Sequence, residues 1–171
     1  MSFKNDLDYS QEQQEKLKEL YRNEAFEGRF TFVEKGDGYK SQGSLNIQTE
    51  FGIDTIFQTS DKESVLVEEK FRKQLRDDIV VETLSCSVEG REKDGWIHTS
   101  KADFLNYVMD DGDGTLHCYI MSMKELREFF FKNENRYPKR NTTQINRTVF
   151  CPIPIKDLEQ NIQIKHFTVS Y

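Results

Sequence analysis

Asp54, Glu68 and Lys70 are the residues of this chain whose types and spacing suit metal-assisted chemistry. Ser64-Val65-Leu66-Val67 reads as a buried strand that runs directly into Glu68-Glu69-Lys70. Side chains alternate faces along a strand, so Glu68 and Lys70 point one way and Glu69 the other. Asp54 lies in Gly52-Ile53-Asp54-Thr55-Ile56-Phe57, a second short strand, and Asp61-Lys62-Glu63 reads as the turn of a hairpin joining the two. That pairing gathers two carboxylates and an amine into one patch. Such a patch suits a hard divalent cation, Mg²⁺ or Mn²⁺, which takes oxygen ligands and keeps several of its own waters. Lys70 would then orient or activate a water, or neutralise charge building on a phosphate. The chemistry indicated is cleavage of a phosphodiester.

Further blocks follow in order: Val67-Glu68-Glu69-Lys70-Phe71-Arg72, Asp78-Ile79-Val80-Val81-Glu82, Gly95-Trp96-Ile97 and Lys101-Ala102-Asp103-Phe104. With Gly52-Ile53-Asp54 before them, they resemble a phage and mobile-element branch of the PD-(D/E)XK nuclease superfamily, over roughly residues 45 to 130. One departure is that Ile53 stands where the proline of the superfamily's name would be. The resemblance implies a restriction-endonuclease-like, mixed β-sheet flanked by helices and a Mg²⁺- or Mn²⁺-dependent nuclease. It also implies a metal held by Asp54, Glu68 and the Glu69 carbonyl, with Lys70 as the catalytic lysine. An early helix often adds a carboxylate in such nucleases; Glu12, Glu15, Glu19 and Glu24 are available, and Glu19 and Glu24 rank first by nearness to the helix end.

A plainer reading competes with this one. In a chain that is 32% charged, a Glu and a Lys on one strand face are commonly a solvated ion pair contributing little. What separates this pair from that case is the apolar run immediately before it.

Several other side chains are candidates for substrate contact. Arg72, two residues beyond Lys70, carries a fork suited to bidentate phosphate binding. Gln48 stands shortly before the Asp54 strand, and Lys101 opens a stretch read as a helix to about Met109, capped by Thr99 or Ser100. Asp78 and Glu82 share a strand face and either join the chemistry or pair with Arg72 or Lys73. Lys132, Arg136, Lys139, Arg140 and Arg147, interleaved with Tyr137 and opposed only by Glu134, form a basic loop over 132–147 that either tracks phosphates or is a solvated connection. His98 is either a proton shuttle or a surface residue, and Trp96 is read as core.

The elements that must carry these residues follow from periodicity and punctuation. Residues 10 to 26 read as a helix, with Ser10 as cap, Gln13 completing a capping box, and Leu17, Leu20 and Tyr21 at helical spacing. Residues 29 to 34 alternate as a strand before a Gly36-Asp37-Gly38 loop. Residues 78 to 84 and 115 to 121 read as strands, and 123 to 132 as a helix packing through Leu126, Phe129 and Phe130. Pro152 and Pro154 impose an extended path, and 162 to 169 alternate as an edge strand. Asp110-Asp111-Gly112-Asp113-Gly114 fails as a calcium loop. With Gly114 at the required sixth position, Met109 and Ile120 fall where carboxylates must be, so it reads as a tight acidic turn.

Composition bounds the rest. At 171 residues, with thirteen Phe in a 12% aromatic fraction, the chain suits a single α/β (α+β) domain: a core of about 10–130, the basic loop, and a C-terminal extension over 148–171. No run is long enough to span a bilayer, and no apolar leader opens the sequence. Cys86, Cys118 and Cys151 are too scattered for a zinc site or a disulfide framework, which points to a reducing cytoplasm. A net charge of −6 argues against unassisted non-specific DNA binding but is compatible with a carboxylate cluster awaiting a metal. The expected partner is nucleic acid, DNA favoured over RNA, with no membrane; a homodimer would give two sites for two strands. The competing expectation is an inactive nuclease-like fold that binds nucleic acid or protein.

Overall fold

The computed structural model describes residues 17, 30–35, 54–59, 64–143 and 147–171. Glu19, Glu24, Gln48, the 36–38 loop and the 61–63 turn lie outside the described residues, as does the 10–26 helix apart from Leu17, which is helical and fully buried.

The fold is mixed α+β. One sheet has six strands in the order β1 (Phe30–Lys35), β2 (Thr55–Thr59), β3 (Ser64–Arg72), β6 (Phe104–Asp110), β7 (Thr115–Ser122) and β10 (Ile164–Ser170). The other has four, in the order β5 (Lys93–Asp94), β4 (Asp78–Cys86), β9 (Val149–Pro154) and β8 (Arg140–Asn141). Helices are short except one: α1 (Trp96–Thr99), α2 (Met123–Asn133) and α3 (Ile155–Glu159). No described helix is long and apolar enough to cross a membrane.

β2 and β3 pair antiparallel, with Thr55 opposite Val67, which is the hairpin expected from the sequence. β3 then pairs parallel with β6, Glu68 opposite Leu105 and Lys70 opposite Tyr107. A parallel neighbour requires a crossover. Here it runs through β4, β5 and α1, so two strands of the second sheet lie inside the connection, and β8 and β9 join them from further along the chain. Asp103 fixes the landing point: its N–H donates to the Leu66 carbonyl (2.8 Å) and its Oδ2 accepts from Leu66 N (2.9 Å).

β6 corrects the expectation of a helix from Lys101 to Met109. Phe104, Tyr107 and Val108 favour a pleated surface, and hydrogen bonding to β3 and β7 on both sides overrides the capping signal at Thr99 and Ser100. α2 forms where helical spacing indicated, and Ser122 Oγ accepts from Glu125 N at its start. The stretch read as a C-terminal extension supplies a strand to each sheet. Pro152 and Pro154 lie on β9 beyond the reach of β8, where a missing N–H removes no ladder bond to that neighbour.

Two apolar clusters cover the faces of the larger sheet. One joins Leu105, Tyr107 and Met109 of β6 to Met121, to Ile79 and Val81 of β4, to Ile153 of β9, and to Leu126 and Phe130 of α2. The other gathers Leu17, Val67, Val108, Leu116, Cys118 and Ile120. Leu105, Phe130, Val67 and Leu17 are all fully enclosed. Each such side chain stabilises the fold by about 2 kcal/mol relative to exposure. Together they fix the register of β3, because a slip of one residue would exchange Val67 for Glu68.

Candidate functional site

The charged end of β3 divides by face. Glu68, Lys70 and Arg72 share the side of Leu105, Tyr107 and Met109, towards β4; Glu69 shares the side of Asn106, with Leu17 and Cys118. Glu68 and Glu69 are both buried, 1% and 5% exposed, so the Glu68–Lys70 pair is anchored in the interior at its carboxylate and reaches solvent only through the lysine. Lys70 Nζ stands 2.5 Å from Glu68 Oε1, and Glu68 Oε2 is buried with no hydrogen-bond partner. A buried acceptor without a partner costs about 1–3 kcal/mol, so this oxygen has capacity for a further cation or donor beside Lys70.

Asp54 joins them from the start of β2. Its N–H donates to the Val67 carbonyl (3.0 Å), and its Oδ2 accepts from Glu69 N (2.8 Å). In an antiparallel pairing the N–H and C=O of one residue leave on the same side, so the Glu69 carbonyl is directed towards the β2 side of β3. Asp54, Glu68 and Lys70 thus meet as their spacing indicated, and the Glu69 carbonyl lies at the same edge.

The charges act strongly on one another. Burial pushes the Asp54 carboxyl above its ordinary value, against the pull of Lys70 and the Glu69 N–H, with Glu68 adding to the rise. Burial alone would lower Lys70, but the surrounding Glu68, Asp54 and Glu82 outweigh it and hold the ammonium above its ordinary range. Lys70 is therefore a fixed cation in this arrangement, suited to stabilising anionic charge.

Two further residues complete the surroundings. After residues 73–77 the chain turns back, and β4 runs over β3. Val80 N donates to Tyr107 Oη (3.4 Å), beside Lys70 in the register. Glu82 accepts from the Trp96 N–H, and its carboxyl is raised by burial against the influence of Lys70, with Glu68 contributing to the rise. Gly95 makes this approach feasible: a Cβ there would fall 2.3 Å from the Glu82 carbonyl oxygen and 2.9 Å from Glu82 Cγ. Arg127 of α2 donates from Nε to the Ile97 carbonyl (2.8 Å) and from Nη2 to the Ser100 carbonyl, and the Glu68 charge reaches it. α1 therefore links Glu82 at its start to Arg127 at its end. Arg127 had no sequence signal, since an arginine beside Leu126 on an amphipathic helix reads as solvated.

The other candidates divide. Arg72 is committed to Asp78 through Oδ1 and the carbonyl oxygen, and to Tyr107, so it ties β4 to β3. Lys101 and Lys139 are exposed, and His98 stacks at a tilt on Phe131 away from these residues. Arg140 is exposed on β8, in line with Phe150 and Glu82 across the smaller sheet, about 10 Å from Glu82 at two strand spacings. With Arg136, Asp77, Asp78 and Asp157 it lines a cleft of 370 Å³ that meets Arg72 through Asp78. Trp96 is buried in the core as expected.

Among the described residues, no three His, Cys, Asp or Glu side chains converge closely enough to hold a metal ion. The residues that could hold an ion are two carboxylates, Asp54 and Glu68, with the Glu69 main-chain carbonyl as the third candidate. They fit Mg²⁺ or Mn²⁺, which fill out their coordination with water, and the unpartnered Glu68 Oε2 is the observation that favours a cation there. No protein-family model, curated protein or solved structure matches this chain.

Proposed function

We propose that this protein is a divalent-metal-dependent nuclease of restriction-endonuclease-like build. The observation that carries the reading is the grouping of partly buried Asp54 and Lys70 around buried Glu68 where β2 and β3 pair antiparallel, with one oxygen of Glu68 unpartnered. Asp54, Glu68 and the Glu69 carbonyl would hold Mg²⁺ or Mn²⁺. When bound, such an ion supplies Lewis-acid polarisation of a phosphoryl oxygen and a more acidic water. Lys70 presents a permanent positive charge to the phosphate, Glu69 N orients Asp54, and the exposed side chains of Arg136 and Arg140 receive the flanking backbone. Nucleic acid, DNA favoured over RNA, is the substrate proposed, and a homodimer would provide one site per strand.

The test is cleavage of labelled single- and double-stranded DNA and RNA with Mg²⁺ or Mn²⁺, comparing the native chain with Lys70→Ala. Loss of at least about a hundredfold on mutation is expected, as for removal of one charge-stabilising group. Equal cleavage by the folded mutant would sink the mechanism.

A second reading, a nuclease-like fold that only binds nucleic acid or a partner protein, is favoured by the Lys70–Glu68 pair, which already neutralises Glu68 without a metal. Calorimetry separates the two. Tight binding to nucleic acid or a partner protein with no Mg²⁺ or Mn²⁺ uptake would favour the module.

A further inference from the structure

Lys70 and a divalent cation compete for the same carboxylate. The ammonium sits 2.5 Å from Glu68 Oε1, and a cation shared by Asp54 and Glu68 would repel it at that distance. The lysine needs somewhere to go. Asp54 belongs to the donor set, Asp78 is taken by Arg72, and Arg127 is itself a cation.

We propose that Glu82 is the second seat of the Lys70 ammonium, a positioning residue that receives it when Glu68 turns to a divalent cation. The proposal rests on the metal-site reading above and adds to it a residue from the other sheet. Its geometry comes from the return of β4 over β3. Arg72 grips Asp78, Val80 N reaches Tyr107 Oη beside Lys70, and Glu82 lies further along the same row of β4. The Glu82 carboxylate is fixed from behind by the Trp96 N–H, and Gly95 keeps the gap closed. A carboxylate accepts at up to four positions, so that single bond leaves room for an ammonium. The mutual electrostatic influence of Glu82, Lys70 and Glu68 agrees with this proximity.

The experiment is Mn²⁺ calorimetry on four proteins: the native chain, Glu82→Gln, Lys70→Met and the double variant, each checked for an unchanged far-ultraviolet circular dichroism spectrum. Glu82→Gln is expected to weaken Mn²⁺ at least about tenfold, the usual effect of losing a residue that supports metal ligands. In the Lys70→Met background the same substitution is expected to change little, because no ammonium then needs a seat. Glu82→Asp, with a shorter arm and the charge kept, should give a smaller loss that Lys70→Met likewise cancels, and it serves if the glutamine variant does not fold. Equal losses in both backgrounds, or none in either, would overturn the role of Glu82 while leaving the metal site standing. A native chain that takes up no Mn²⁺ would overturn the metal site and this role together.

Discussion

Two acidic clusters sit on the larger sheet, and they use their oxygens differently. At the β6–β7 turn, Asp110 Oδ1 accepts from Gly112 N and its Oδ2 from the Tyr171 hydroxyl, while Asp111 Oδ1 accepts from Asp113 N and Thr115 N. Those carboxylates build the turn, and the N–H donors hold Asp111 below its ordinary value. Around Lys70, Asp54 and Glu82 are raised by burial, and Glu68 keeps a buried oxygen without a partner. Acid density is similar in the two places. Unspent acceptor capacity on a buried carboxylate distinguishes a candidate site from an acidic turn.

The largest test of this contrast exchanges one amide for one carboxylate in each cluster. Glu68→Gln is expected to lower metal-dependent cleavage at least about a hundredfold, whereas Asp113→Asn, on an exposed residue of the turn, should leave the rate unchanged. Comparable rates for the two variants in a cleavage assay would erase the distinction.

A second test leaves every acid in place. Gly95→Ala sets a methyl against the Glu82 carbonyl at 2.3 Å, a backbone contact that no side-chain rotation can relieve. A loss of about 2–3 kcal/mol in denaturant unfolding is expected, in the range of overpacked sites, together with weaker Mn²⁺ uptake. Wild-type stability in this variant would show that the approach of α1 to β4 is looser than described.

The smallest effect belongs to the turn. Asp111 has its folded value below 3.8, so the unfolded chain binds the proton more readily and the group favours folding above that pH. The contribution fades as the pH falls through the folded value. Asp111→Asn should therefore melt slightly lower than the native chain near neutrality, with the two melting temperatures converging below pH 3.8. A difference that persisted into acid would mean that the charge is not what the turn uses.

How much of this could be read from the chain divides along physical lines. Asp54, Glu68 and Lys70 were legible because strand alternation and an apolar run are local. The hairpin of β2 and β3, the helix of α2 and the acidic turn between β6 and β7 were legible for the same reason. β6 was misread because Thr99 and Ser100 offer caps, while the strand depends on partners distant in sequence. The roles of Gly95, Glu82 and Arg127 were hidden because they arise only where one sheet crosses the other. The candidate helix carboxylates, Glu19 and Glu24, and Gln48 lie outside the described residues.

The crossover also carries a kinetic consequence. Asp103 bonds to Leu66 across 37 positions, and β4, β5 and α1 fill the interval. Loop closure of that kind is paid before its contacts repay it, so non-local parallel pairing is slow. The hairpin bearing Asp54, Glu68 and Lys70 pairs neighbouring chain, whereas Glu82 and Arg127 reach its surroundings from β4 and α2, more distant in sequence. We expect the motif to assemble in two stages, its hairpin ahead of its full electrostatic setting, an order that pulsed hydrogen exchange during refolding would check.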